Sequence, residues 1–442
     1  MDLNKFKNKV LESAKDCEIY FERSNALEIH ILNQEVREFK NADTMGLSFR
    51  GMFNNAMGYS YTEKISDDII PMLIKQAKEN AAIKEGIIEP IHKGSPAYPK
   101  VDEPSTELEK PSPKELIALA KEVEAVALEK DLRVAAVDYC AIGRTIDTVS
   151  LANSYNLNLS HKEGSAFAYA GVRVQDKNNT KMGFHVWFDR DFTDFDPKIL
   201  ARIAVEKALS KLNAIVPKSG KYNIVLDNKT AVSLLEIYTA TFFGESVQKG
   251  FSLLKGKVGE KIAAPMVTLR DNINHPLCVS ATPFDAEGVA VRNKILIDKG
   301  VLKSFLYNLK SAAESNTEST GNGFKMFFKS PVTTDVCNFY IEPGPDSRED
   351  ILKKLDKGLL ITDLQGLHAG ANPISGDFSI QSEGFFVEKG QISGAREQFV
   401  LSGNFFQLLK NIEALGSDLL FADGGTIGSP SMLIKDMEIG GA

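Results

Sequence analysis

At 442 residues, with 43% hydrophobic and 25% charged side chains, the chain has globular composition and enough length for two or three domains. A formal charge of -7, from 59 acidic and 52 basic residues, excludes a surface built to displace counterions from duplex phosphate, so no nucleic-acid partner is expected. No stretch approaches the ~20 apolar residues of a membrane span, the N-terminus lacks an apolar signal core, and Cys17, Cys140, Cys278 and Cys337 are too scattered for a disulfide framework or a thiolate zinc knuckle; a soluble, cytoplasmic protein is the expectation.

In chain order, Leu3, Phe6, Val10, Leu11 and Ala14 recur at helical spacing. Short alternating runs follow at 18–21, 27–32, 36–39, 46–50 and 56–61, broken by Asn- and Gly-containing turns, and read as an antiparallel meander. Ser66 to Ala81 returns to helical spacing, completing a first α+β unit over 1–89. A Pro-rich passage over 90–112, with Pro96, Pro99, Pro104 and Pro111, is an extended linker. The same order of elements then recurs in a central unit, 113–219. A helix opens at Ser112-Pro113-Lys114-Glu115 in capping-box style, strands fall near 132–142, 145–152, 155–160, 165–175 and 180–189, and a helix runs from Pro197 to about Leu212.

Past Gly220 a β-rich C-terminal domain, 220–442, is expected. A strand at 222–226 and a helix from Lys229 to about Gly244 open it, and hairpins turn at Lys299-Gly300 and Lys389-Gly390. The fold class is α+β: two helix–antiparallel-strands–helix units, then a large curved or barrel-like antiparallel sheet. The polar passage Glu314 to Gly323 reads as a mobile surface loop, because Gly321 and Gly323 free the backbone around Asn322. Lys353, Lys354 and Lys357, interleaved with Asp356, read as a solvated helix face.

No catalytic motif stands out. The six histidines never fall within one helical turn of each other, and no His-Glu-x-x-His run exists. His368 sits in the loop Leu367 to Pro373, where a structural histidine is the better reading. There is no Gly-x-Ser-x-Gly elbow, and the glycine-rich Gly424 to Pro430 lacks the ending of a phosphate loop.

Leu254 to Ala263, the hairpin 293–306, Ser375-Gly376-Asp377-Phe378-Ser379, Glu383-Gly384-Phe385, Gly428 to Met432 and the ending Met437 to Gly441 carry a likeness. In this order and spacing they resemble the TldD/PmbA peptidase family, long called modulators of DNA gyrase; the likeness is strong from about Tyr222 onward and looser before it. The resemblance implies a zinc peptidase in the TldD branch, with a His-Glu-x-x-x-His helix and a further cysteine near the C-terminus. Aligned on Gly244, Gly250 and Val258-Gly259-Glu260, that helix falls on Leu235-Glu236-Ile237-Tyr238-Thr239-Ala240. Leu235 and Ala240 then replace the histidines, Glu236 keeps the general-base position, and Cys337 is the last cysteine, far from the C-terminus.

By resemblance the chain is therefore expected to be of the PmbA/TldE type: metal-free, without a cofactor, inactive alone, and paired with a zinc-bearing TldD-type subunit or a second copy. In that family the substrates are unfolded or extended peptides, in peptide maturation or antitoxin degradation. Ser375 to Ser379 is the expected lining of a groove where a peptide adds to a sheet edge. Two alternatives stand beside this reading: a self-contained hydrolase assembling Glu236, His368 and Asp377, and a non-catalytic homodimeric peptide-binding protein.

Overall fold

The computed structural model describes residues 3–12, 14, 16–83 and 90–442. Positions 84–89, the end of the expected first unit, and the side chain of Leu3 lie outside the described residues.

The first unit runs α1 (Leu3–Leu11), β1 (Cys17–Leu32), β2 (Glu35–Phe53), β3 (Ala56–Thr62) and α2 (Ile70–Ala82); the second runs α3 (Pro113–Glu129), β4 (Val134–Asn153), β5 (Asn158–Asp176), β6 (Asn179–Asp189) and α4 (Pro197–Ser210). The expected repetition of helix, strands and helix is present, with three long strands per unit instead of five short ones. Polar residues such as Ser24, Asn25, Asn41 and Asp43 look like turn formers in sequence. In the fold they are ladder residues of strands whose far ends project into solvent, where Arg23 bridges to Asp43 across the pair. The two units do not stand apart: β1 pairs antiparallel with β4, giving one six-stranded sheet in the order β3-β2-β1-β4-β5-β6.

All four long helices pack on one face of this sheet, α1 and α2 over the first unit and α3 and α4 over the second. The capping box at Ser112 and Glu115 is formed, with reciprocal bonds between each side chain and the other's backbone N–H. Each unit admits its second helix at a glycine of its third strand. A Cβ on Gly58 would collide with the Ala77 carbonyl of α2, and one on Gly183 with the Ala204 carbonyl of α4. The Pro-rich passage is extended, as expected, but lies against the body: Leu108 is fully buried, Asn153 donates to the His92 carbonyl, and Tyr98 donates to the Gly288 carbonyl.

The C-terminal part begins with β7 (Gly220–Leu226) and α5 (Asn228–Tyr238). Strands Gln391–Asn404, Asp377–Glu388, Gly358–Gln365, β7 and Met432–Gly440 follow one another around a sheet that closes where Leu401 pairs with Ile439, so the expected curved sheet is a five-stranded barrel. One ladder departs from the antiparallel expectation: β7 and Gly358–Gln365 run parallel. Both expected hairpins form, with Lys299, Gly300, Lys389 and Gly390 all at positive φ. The expected helix from 229 stops early. The hydroxyls of Thr239 and Thr241 bond back to the carbonyls of Leu235 and Tyr238, and the chain tightens into a 3-10 turn, Thr239–Phe242. A second six-stranded sheet, including Leu269–Asn272 and Asn338–Ile341, packs with α5 and the barrel into one core.

Overpacking a tight helix–strand contact costs about 1–3 kcal/mol. Gly58→Val and Gly183→Val should therefore each lower stability by that order, read as a lower urea midpoint at unchanged slope.

Candidate functional site

Helix α5 begins where Asp227 accepts the Thr230 N–H and hydroxyl, both at 2.8 Å. Its apolar stripe, Ala231, Leu234, Leu235 and Tyr238, is buried against the barrel. Leu235 is thus a core residue at 2% exposure, while Glu236 points to solvent from the other side. At the helix end the Tyr238 ring stacks on Phe405, centroids 4.3 Å apart, and its hydroxyl donates to the Asp377 carbonyl at 3.1 Å. The end of α5 and the segment Ser375–Ser379 are therefore in direct contact, although 139 positions separate Tyr238 from Asp377.

That segment is built by two asparagines. The Asn372 side chain accepts the N–H groups of Ile374 and Ser375, and Asn404 donates to the Ser375 carbonyl and to the Asp377 carboxylate, both at 2.9 Å. Bonds from Asn404 and then Ser375 hold the Asp377 carboxyl below the usual carboxylate range. Gly376 sits at φ 82 beneath Phe406, whose ring a Cβ would approach to 2.7 Å. Phe378 points into the core; Asp377 and Ser379 point out.

Edge addition does not fit this strand. One edge is paired with Gln391–Asn404 and the other is bridged by Ala371 and then by Gln365, so no backbone row is left for a peptide. What the segment offers a ligand is the side chains of Asp377 and Ser379. His368 is exposed on the short helix Leu367–Gly370, and no hydrogen bond or ion pair joins any two of Glu236, His368 and Asp377.

At the positions that the resemblance aligns with zinc ligands, Leu235 and Ala240 carry no lone pair, and Ala240 lies in the 3-10 turn beyond the helix; Cys337 is buried, with its thiol pushed far up by that burial.

Sequence reasoning missed the polar seam between the concave face of the N-terminal sheet and the C-terminal domain. Arg50 of β2 donates to Glu18 of β1 at 2.8 Å and reaches Glu287 of the C-terminal domain at 3.4 Å; all three are nearly solvent-free. Behind them Asp285 accepts the N–H groups of Glu287, Val289 and Gly323, and burial followed by the Glu287 charge raises its carboxyl. Lys294 pairs with Asp271 at 2.9 Å, and both bond Asn322, which is fully buried.

The expected surface loop over 314–323 is found only in part: Glu314 and Asn316 to Glu318 are exposed, whereas Ser319 to Gly323 are buried. Gly321 (φ 73) is a site of close passage, where a Cβ would stand 2.7 Å from the Ala290 carbonyl. Lys325 donates to the Tyr59 hydroxyl at 3.0 Å and the Ser330 carbonyl at 2.8 Å, and lies over the rings of Tyr20 and Tyr59. Burial, then the Arg50 charge, pull its ammonium down to about 7, against the opposing pull of Glu18, Glu287 and Glu22. A sequence signal existed for Glu18 and Arg50, charges flanking the apolar runs 19–21 and 47–49. Their third partner lies 237 positions from Arg50.

Comparison with known proteins gives one family throughout. Residues 17–81, 106–212 and 219–441 match the models for domain 1, the central domain and the C-terminal domain of PmbA/TldA metallopeptidases. The chain is 25% identical to the metalloprotease PmbA of Escherichia coli O157:H7, over 75% of this chain and 70% of that one. Among solved structures, a putative modulator of a DNA gyrase from Thermotoga maritima matches at TM-score 0.90 and 30% identity, with 99% of each chain covered. TldE from Thermococcus kodakarensis matches at TM-score 0.89 and 26% identity, covering 99% of this chain and 100% of that one.

Removing one partner from a buried ion pair costs about 3–5 kcal/mol. Arg50→Met should destabilise by that order in urea unfolding, and adding Glu18→Gln should recover part of the loss. Lys325 yields a pH signature. An unfolded lysine titrates near 10.4, so from pH 7 to 10 the unfolded chain binds more protons at this site and stability from it rises with pH. Unfolding midpoints over that range should rise less steeply in Lys325→Met than in the parent chain.

Proposed function

The chain belongs to the PmbA/TldD metallopeptidase family, and from that premise we propose that it is a metal-free, PmbA/TldE-like subunit that pairs with a zinc-bearing TldD-type chain to cleave unfolded or extended peptides. The observation that carries the reading is the side-chain chemistry of α5 and the turn that follows it. Where the family resemblance calls for two imidazoles, this chain has a leucine that belongs to the core and an alanine. Glu236 stays exposed at the general-base position but has no metal-bound water to activate. The likeness to a protein known as TldE supports the assignment to this branch.

In this reading the family's catalytic ion comes from the partner, and this chain contributes surface. Asp377 and Ser379 touch substrate side chains, held in place by Ser375, Gly376 and the buried Phe378. No helix among the described residues is long and apolar enough to cross a membrane, and we place the pair in the cytoplasm, acting in peptide maturation or antitoxin degradation.

Metal analysis and peptide cleavage test the proposal together. The purified chain should carry well under one zinc per molecule and leave an unfolded peptide intact, with cleavage appearing on mixing with a TldD-type chain. Stoichiometric zinc, or turnover by the lone chain in chelator, would overturn it.

A further inference from the structure

Residues Gly323–Phe324 pair with Thr333–Thr334, and the connection between them leaves the C-terminal domain to cross the concave face of the N-terminal sheet. This strap is seated as a ligand is seated. The Phe328 ring lies over Gly46 of β2, where any Cβ would overlap it, and meets Tyr61 edge-on at 6.4 Å. Three positions earlier, the Lys325 amine lies over the rings of Tyr20 and Tyr59 and donates to the Tyr59 hydroxyl, while Glu18 and Glu287 are paired with Arg50. The Tyr59 hydroxyl bonds the Phe328 and Ser330 carbonyls at 2.7 and 2.9 Å. Lys329 pairs with Glu63 at 2.5 Å. Between these anchors Met326 is 85% exposed.

The surface does not stop at the strap. In ladder register Ser24 lies opposite Asp147, and Asp147 opposite Glu163, so the acidic face of Glu22 continues across β4 and β5. It leads to a small open pocket lined by Ser105, Lys162, Glu163 and Arg190. An aromatic slot, a pair of tyrosine rings that take the amine and a hydroxyl that reads backbone carbonyls together recognise an extended chain bearing a lysine and, three residues on, an aromatic side chain.

We infer that residues 325–330 are an intramolecular occupant of a peptide-binding groove on the concave face of the N-terminal sheet, and that an extended peptide with a lysine three residues before an aromatic side chain competes for the same seat. The inference rests on the peptide reading above and names the class of peptide. It also makes the groove self-blocked: a competitor must displace the strap, so its apparent affinity is reduced by the fraction of molecules in which the strap is out.

The test uses the full chain and a labelled peptide of the strap sequence, Lys-Met-Phe-Phe-Lys-Ser. In the Lys325→Ser/Phe328→Ser variant, amide hydrogens of 325–330 should exchange faster than in the parent, and peptide affinity by fluorescence anisotropy should rise at least about tenfold, as expected when the open fraction of the parent is a tenth or less. On that background Tyr59→Phe, which keeps the ring and removes the hydroxyl, should weaken binding again, as should Gly46→Val. Unchanged exchange in the released variant overturns the inference, as does fast exchange without peptide binding, or binding indifferent to both Tyr59→Phe and Gly46→Val. Zinc and cleavage play no part in these readouts, so the pairing proposal can fail while the groove stands, and the reverse.

Discussion

The ladder between β1 and β4 is the constraint from which the rest follows. From Glu18 opposite Asn153 to His30 opposite Ala141 it is unbroken and antiparallel, and it joins two units that each have only three strands. Side chains opposite each other share a face, so this one register sends Ile19, Phe21 and Ile29 to the helices. It sends Glu18, Tyr20 and Glu22 to the concave side, toward the C-terminal domain. A slip by one residue would exchange the two sets, placing carboxylates in the helical core.

The seam that results is polar because two different demands meet there. Burying Arg50, Glu18 and Glu287 is unfavourable unless each charge finds its counterpart, so the contact is weak as a source of stability and strong as a source of registry. Only one docking of the C-terminal domain puts Glu287 beside Arg50, Phe328 over Gly46 and Lys325 among the tyrosines. Apolar contact between Tyr20, Leu151, Phe284 and Phe328 supplies area at the same interface without specifying the position so tightly.

How far the sequence was legible depends on the range of the interaction. Local signals read well: the Ser112–Glu115 cap, both hairpin turns and the periodicity of each helix are set by residues within about one turn of each other. The hairpin-rich pattern carried the reading further, to the barrel-like sheet, and family likeness placed Leu235 and Glu236 on α5 and Ala240 just beyond it. What failed was long in range. Polar residues in mid-strand were read as turns because only a partner strand makes Ser24 or Asp43 a ladder position. Ser319 to Gly323 was read as mobile because glycine is a sign equally of freedom and of close packing, and Asn322 is buried by partners as far away as Asp271. The order of elements in the two units was visible, but the glycine they share, Gly58 and Gly183, was not, since its reason is a helix backbone that comes later in the chain.

The C-terminal architecture also decides where an extended ligand can be met. The barrel closes where Val400 to Ser402 pair with Glu438 to Gly440, and Asp377 to Ser379, the segment that sequence likeness marks, has partners on both sides. Helix α5 keeps its place in that core through Leu234, Leu235 and Tyr238 and needs no metal to hold it there, so the fold is indifferent to whether the helix can bind zinc, and function must be read from side chains. In the peptide reading proposed above, contact falls to outward side chains such as Asp377 and Ser379 and to the N-terminal sheet. That sheet combines a concave face, half-exposed carboxylates and an aromatic slot already filled by the chain itself. Contact through side chains and carbonyls demands more of a peptide's sequence than edge pairing would.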